Sequence, residues 1–251
     1  MRMLKGLALS ALAVVFSVSS PMARCGQRTV ETDIKVTLYD KGLGHEFSSS
    51  LDPVVTYIQN REYDKATKAI DKTIADFEKL LSENGKKNPD AEYRCFRTKE
   101  EYDAYRKTTK KEVAWVDIAY ARAYHMKAFI LTNLKRIKEA VAILTMESEL
   151  APTKANVHIE LGYIANHTGC FTEALGHYVK ALKLAKTFKS QIPQKGAALR
   201  GMGFALIEQG KLDEAEKKYK ESLKADPDNK LALSELEYIK KLKAEKAAGS
   251  K

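Results

Sequence analysis

A helix-turn-helix pattern occurs three times in phase between residues 121 and 229, and it constrains the fold more than any other feature of the chain. In each copy, small or apolar residues recur at the spacing of one helix face, a turn follows, and a second amphipathic run completes the unit. The clearest copy is 196–229, in which Gly210 separates the two runs and Pro227 closes the unit. The pattern predicts stacked helical hairpins.

This pattern resembles the tetratricopeptide repeat, a 34-residue unit of two antiparallel helices. Its crossing positions, 8 and 20, hold only small residues, because a larger side chain would push the two helices apart. These residues are Ala128, Gly162 and Gly203 at position 8, and Ala140, Ala174 and Ala215 at position 20. Gly201 is a second packing glycine inside the last copy. Position 4 lacks the usual Trp, and we expect His158 to fill that core position in the middle copy.

The resemblance implies an all-α fold, a helix-turn-helix repeat solenoid, to which the sequence adds a short extended N-terminal segment. The middle repeat is seven residues longer than the others, so we expect its second helix to extend to about Ile192–Pro193. The predicted organisation is a signal peptide at 1–23, an extended segment at 24–46, a helical N-terminal part at 47–112, repeats at 121–154, 155–195 and 196–229 within 113–229, and a C-terminal capping helix and tail at 230–251.

Residues 1–23 have the three parts of a secretory signal, namely a charged start, an apolar run and small residues up to Ala23. The apolar run, residues 7–18, is too short to span roughly 30 Å of hydrocarbon as a helix, so a cleaved signal is favoured over an anchor. We therefore expect a periplasmic or secreted protein of a bacterial cell. Cys25 follows Arg24, and a basic residue at that place argues against lipidation.

The region between the signal and the first clear repeat gives shorter signals. Residues 34–38 alternate like a strand, and Asp52-Pro53 is a helix start. Tyr63, Ala66, Ile70 and Thr73 have the same spacing as Leu212, Ala215, Tyr219 and Ser222 of the last repeat. Residues 47–80 are therefore either a degenerate repeat or an unrelated helical hairpin. We expect a loop at 82–94. Capping boxes at Thr98 and Thr109 predict a short helix at 98–107 and a long one from about Lys110 to Leu134.

No motif in the chain indicates catalysis, a cofactor or a metal. The five histidines lack metal-ligand spacing, and there is no nucleophile elbow or phosphate-binding loop. We therefore predict a protein that is not an enzyme, with no catalytic residues, no cofactor and no metal site. Three cysteines leave three interpretations open: a Cys95–Cys170 disulfide, a Cys25–Cys95 disulfide, or free thiols.

The resemblance implies a ligand groove lined by the first helix of each repeat. Position 9 of that helix is aromatic in every copy, and polar residues surround it. The predicted groove residues are His125, Phe129, Asn133, Asn156, Tyr163, Asn166, Arg200 and Phe204. His125 and Phe129 occupy the places where the family's best-known carboxylate clamp has Lys and Asn, so that clamp is absent. The alternative is that the aromatic side chains only pack within the fold.

We therefore expect an exported scaffold that binds a protein or extended peptide, as an adaptor or assembly factor of the bacterial cell envelope. The formal net charge of +10 and the lysine-rich helix faces favour an alternative, a binder of an anionic envelope polysaccharide or lipid head group. Neither nucleic acid binding nor a membrane-spanning segment is expected.

Overall fold

The computed structural model describes residues 42–248, which form a helix-turn-helix repeat solenoid. The predicted signal peptide, the alternating residues 34–38 and Cys25 lie outside the described residues. The α-helices are α1 Asp52–Gln59, α2 Tyr63–Lys87, α3 Lys99–Arg106, α4 Ile118–Asn133, α5 Ile137–Leu150, α6 Ala155–His167, α7 Phe171–Thr187, α8 Lys195–Glu208, α9 Leu212–Leu223 and α10 Lys230–Ala248. Two 3-10 helices span His45–Leu51 and Lys189–Gln194.

The turn inside each helical hairpin has the same backbone conformation. Gly169 and Gly210 adopt left-handed φ values of 78° and 74°, which glycine tolerates without steric cost. Lys135 and Arg61 occupy the equivalent position with φ of 62° and 60°. After each of these residues, the next backbone N–H donates to a carbonyl near the end of the preceding helix. The α1–α2 hairpin therefore repeats the turn geometry of the three hairpins that follow it.

Small residues let the helices approach closely at the predicted crossings. The ring of Tyr178 lies between α6 and α8, where a Cβ on Gly162 would come within 2.9 Å of it and a Cβ on Gly201 within 2.2 Å. A Cβ on Gly203 would come within 2.5 Å of the Tyr219 ring. The alanines of position 20 are fully buried, including Ala66 of the first hairpin: Ala66, Ala140, Ala174 and Ala215. The packing role predicted for these residues is confirmed.

A small parallel sheet interrupts the helical order, and it overturns the predicted helix from Lys110 to Leu134. Strands β1 Glu92–Cys95 and β2 Val113–Val116 pair in parallel, and α3 connects them. Leu43 adds an isolated bridge to Val116. Thr109 starts no helix; instead the Asp117 carboxylate accepts from the N–H of Ala119, at 2.8 Å, and caps α4. The predicted 47–112 part is therefore not purely helical.

Two other boundaries differ from the prediction, and one agrees. Helix α2 continues to Lys87, so the N-terminal half of the predicted 82–94 loop is helical. In the middle repeat, α7 ends at Thr187 and the 3-10 helix Lys189–Gln194 absorbs the extra residues, so the predicted extension of this helix is wrong. The Thr98 cap is confirmed, because its hydroxyl accepts from the N–H of Glu101 at 3.3 Å.

Glu101 lies on α3, the helix that connects the two strands, and it bonds to the two segments that join successive repeats. Its side chain is 1% exposed, and the donors around it are neutral. One carboxylate oxygen accepts from the backbone N–H of Arg97 at 2.9 Å and from the Thr153 hydroxyl at 3.0 Å. The other accepts from the Ser190 hydroxyl and from Gln191 Nε2, the latter at 2.8 Å. A buried carboxylate is thus stabilised by four hydrogen bonds from three parts of the chain.

Candidate functional site

The candidate site is the side of α4, α6 and α8 that faces away from the helix-pair core, which we call the groove face. On α6 its residues follow the i, i+4, i+7, i+11 spacing of one helix stripe. They are half-buried or exposed, whereas the opposite stripe of the same helix is buried. The equivalent exposed or half-buried positions of the three helices are Arg122, Phe129 and Asn133 on α4, Asn156, Glu160, Tyr163 and His167 on α6, and Ala197, Phe204 and Glu208 on α8.

Three aromatic side chains occupy the same place on successive first helices of the repeats. Phe129, Tyr163 and Phe204 are each half-buried. The Tyr163 ring packs at the edge of the core formed by α4, α5 and α6, and its centroid lies 3.9 Å from that of His167. Asn133 donates to the Phe129 carbonyl at 2.9 Å within its own helix. The groove face therefore presents aromatic surface of which part is in contact with solvent.

His125 is not available in the groove, which corrects the prediction made for it. Its side chain is buried, and its Nδ1 lies 3.0 Å from a carboxylate oxygen of Glu147. The other oxygen of that carboxylate accepts from Lys154 Nζ at 2.5 Å. Burial acts to raise the pKa of Glu147, but the charges of Lys154 and His125 outweigh it and the pKa is lowered. His125 belongs to a buried cluster of polar side chains that joins α4, α5 and the start of α6.

Asn166 also has a structural role rather than a free groove position. Its side chain is 6% exposed, and its Nδ2 donates to the Gly201 carbonyl at 3.2 Å and to the Tyr178 hydroxyl at 3.3 Å. Arg200 is half-buried, with its Nη1 3.9 Å from a carboxylate oxygen of Asp226. Burial lowers the pKa of Arg200. Asn156 is half-buried on the groove face, as expected from its position.

Glu160 is a residue of this face that the sequence analysis missed. It is half-buried three residues before Tyr163, and no hydrogen bond or ion pair reaches its carboxyl from the described part of the chain. Desolvation raises its pKa, opposed by the positive charges of His125 and Lys154. The charge of Glu160 in turn contributes to a raised pKa of Tyr163, after the effect of burial. A carboxyl without a partner thus lies beside the aromatic residues.

The Cys95–Cys170 disulfide does not form. Cys95 is fully buried at the end of β1, where its thiol donates to the Asp117 carbonyl at 3.3 Å. Cys170 is an exposed free thiol at the turn before α7. Burial raises the pKa of the Cys95 thiol. The pairing with Cys25 involves a residue outside the described range.

His158 is half-buried on α6, where its ring stacks on that of His177 from α7 with centroids 5.8 Å apart. Burial, reinforced by the positive charges of His177 and Lys180, lowers its pKa to about 4. Within residues 42–248, no group of three or more His, Cys, Asp or Glu side chains is arranged to hold a metal. In the same range, no helix has both the length and the apolarity needed to cross a membrane.

Exposed lysines mark the outer surface of α7. Lys180, Lys183 and Lys186 are exposed, and none has an ion-pair partner among the residues that the structure describes. On the outer surface of α9, by contrast, Lys220 pairs with Glu216, which also binds Lys243 of α10 at 2.6 Å. The lysine-rich face is therefore separate from the groove face, which carries Arg122, Glu160 and Glu208 as its charged residues.

Comparison with known proteins identifies the repeats. Two tetratricopeptide repeat models match, one over residues 121–145 and the other over residues 153–228. A comparison with curated proteins gave no match.

Solved structures with a similar fold include a type IV pilus biogenesis factor. PilW, described as a widely conserved type IV pilus biogenesis factor, aligns with a TM-score of 0.54 and 19% identity over 78% of this chain and 70% of that chain. The pilF protein of Pseudomonas aeruginosa aligns with a TM-score of 0.57 and 12% identity over 80% of this chain and 71% of that chain. The first repeat domain of RPAP3, bound to the HSP90 peptide SRMEEVD, aligns with a TM-score of 0.45 and 22% identity over 49% of this chain and 93% of that chain. At these identities the likeness concerns the fold.

Proposed function

Because the chain is a tetratricopeptide-repeat protein, we propose that it is a non-catalytic scaffold that binds an extended segment of a partner protein on its groove face. The observation that carries this proposal is the row of half-buried aromatic residues Phe129, Tyr163 and Phe204 on successive repeats. Solvent-exposed aromatic surface aligned along a groove is a common anchor for peptides, because the rings bury a large apolar area at low entropic cost. Asn156 and Asn133 flank the row and can bond to an extended backbone.

The proposal includes export and a role as an adaptor or assembly factor in the bacterial cell envelope. Its support is the secretory pattern of residues 1–23 together with a fold like that of PilW, a type IV pilus biogenesis factor. Intact-mass analysis of the protein from its native cell tests the first part. We expect a mature chain that starts near Arg24 without an acyl group. A chain that keeps residues 1–23, or a diacylglycerol mass on Cys25, would contradict it.

Site-specific photocrosslinking in intact cells tests the groove. A photoreactive phenylalanine analogue at Phe204 should crosslink to a defined segment of one protein, identified by mass spectrometry of the crosslinked peptides. The same analogue at Val179, which is 52% exposed on the outer face of α7, is the matched control and should not capture that segment. Equal capture from both positions would show that the groove is not the binding surface.

Loss of the aromatic row gives a second test on the same captured segment. Truncation of one anchoring aromatic residue typically costs 2 kcal/mol or more, which is about thirtyfold in affinity. The double substitution Tyr163→Ala with Phe204→Ala should therefore weaken binding by at least that factor while far-UV helicity stays near that of the parent. If the double variant unfolds, the rings belong to the core and the proposed groove role is wrong.

The alternative is a binder of an anionic envelope polysaccharide or lipid head group, and the unpaired lysines of α7 favour it. Charge reversal at Lys183 and Lys186 separates the two functions. If the groove is the site, this double reversal should leave binding unchanged, and affinity should vary little between low and moderate salt. A polymer bound through the lysines would be lost on charge reversal and would weaken steeply with salt.

A further inference from the structure

Among the described residues, Glu160 lacks the hydrogen-bond and ion-pair partners that the two buried acidic residues Glu101 and Glu147 have. Glu101 accepts four hydrogen bonds, and Glu147 is held by His125 and Lys154. Each of these carboxylates has partners for both of its oxygens. Glu160 has no hydrogen bond or ion pair among residues 42–248. Partial withdrawal of this carboxylate from water costs free energy that no donor in the described part of the chain recovers, and a partner from outside could recover it.

The position of Glu160 suggests where the missing partner comes from. The residue lies on the α6 stripe that also carries Asn156 and Tyr163, so the carboxyl opens toward the groove face rather than the helix-pair core. The nearby side chains of His125 and Lys154 are both engaged by Glu147. Tyr163 lies three residues further along the same half-buried stripe, so aromatic surface is next to the carboxyl. A cation that approached from the groove would meet a carboxylate and aromatic faces together.

We infer that the partner segment presents a lysine or arginine side chain, which pairs with the Glu160 carboxylate against the aromatic residues of the groove face. This inference rests on the proposed peptide-binding function. A long basic side chain suits the site because its apolar stem can pack on the rings while its charged head reaches a half-buried carboxyl. Cations over aromatic faces gain further attraction when the site is desolvated. The exposed lysines Lys180, Lys183 and Lys186 lie on the outer face of α7, away from the groove face, so they do not supply this cation.

A displayed library of random dodecapeptides, selected on the immobilised full-length protein, tests the inference without a known ligand. The Tyr163→Ala, Phe204→Ala double variant serves for counter-selection. We expect the enriched peptides to share a lysine or arginine at a fixed distance from an apolar residue. Selection of groove-dependent peptides with no shared basic residue would overturn the inference and leave the proposed function intact. If no peptide prefers the parent over the double variant, both fail.

A double-mutant cycle on one selected peptide then measures the pairing. Binding of the lysine peptide and of its norleucine counterpart would be measured by calorimetry with the parent and with Glu160→Gln. A charge-assisted pair in a partly buried site predicts about a tenfold loss when either partner is changed, and no further loss when both are changed. Glu149→Gln, which changes an exposed carboxylate of α5 outside the groove face, is the matched control and should leave affinity unchanged.

The stability of Glu160→Gln distinguishes an external partner from an internal one. Because the carboxyl has no partner in the free protein, the substitution should leave the melting temperature unchanged or raise it. If Lys154 instead turned to Glu160 in solution, the variant would melt lower than the parent and peptide affinity would not depend on the lysine. That result would refute the inference.

Discussion

The substitution Gly201→Ala isolates the energy of one helix crossing. In the structure a methyl group at this position would come within 2.2 Å of the Tyr178 ring. The hydroxyl of Tyr178 accepts a hydrogen bond from Asn166, which restrains the ring. Overpacking of this kind costs about 1–3 kcal/mol. Gly176 provides the matched control, because it lies in α7 and a Cβ there meets no atom within 4 Å. Both substitutions gain the same helix propensity, about 1 kcal/mol, so the difference between them is the clash itself.

For a chain of this size, 1 kcal/mol changes the melting temperature by roughly 2–4 °C. Gly201→Ala should therefore melt about 2–12 °C below Gly176→Ala, and urea unfolding followed by circular dichroism should give the same order with unchanged slopes. In a Tyr178→Leu background the penalty of Gly201→Ala should shrink, because the ring that it meets is gone. Equal stability of the two alanine variants would mean that Gly201 of α8 does not lie against the Tyr178 ring of α7.

Three further results are expected. The pKa of His158 is about 4 in the folded protein and near 6.5 when unfolded, so between these pH values the unfolded state binds more protons. The free energy of unfolding should therefore fall by about 1–3 kcal/mol as the pH drops from 6.5 to 4, after allowance for solvent screening. In melting experiments at a series of pH values, His158→Phe should lose most of this pH dependence. A thiol reagent should modify Cys170 at once under native conditions and Cys95 only after denaturant is added, which mass spectrometry of the digested protein reports. Glu101→Ala should lower the free energy of unfolding in urea by about 3–5 kcal/mol, because it leaves buried donors without an acceptor. A loss below about 1 kcal/mol would contradict the burial of the Glu101 carboxylate.

The features that the sequence predicted correctly depend on local spacing. The crossing residues Gly162, Gly203 and Ala174 could be placed because each repeat sets its own phase, and the turn at Gly210 follows from a left-handed backbone that glycine favours. These signals need no knowledge of distant contacts.

The features that the sequence did not predict depend on contacts between distant residues. Residues 113–116 form a strand because they pair with 92–95, and a short apolar run does not distinguish a strand from a helix. His125 was expected in the groove, but its burial depends on Glu147, 22 positions away. Glu160 was overlooked because what sets it apart is the lack of a partner, which only the three-dimensional arrangement reveals.

The hydrogen bonds of Glu101 change how the repeats can fold and come apart. A repeat array ordinarily behaves as a linear series in which each unit contacts only its neighbours, so its ends can fray independently. Glu101 bonds to Ser190 and Gln191, 89 and 90 positions further along the chain, and to Thr153 between them. The connection between the strands therefore cannot reach its native environment until the junction between the second and third repeats has formed. This couples the first half of the array to the second, so unfolding should be a single transition rather than a progressive loss from one end, at the cost of a slower search for the native contacts.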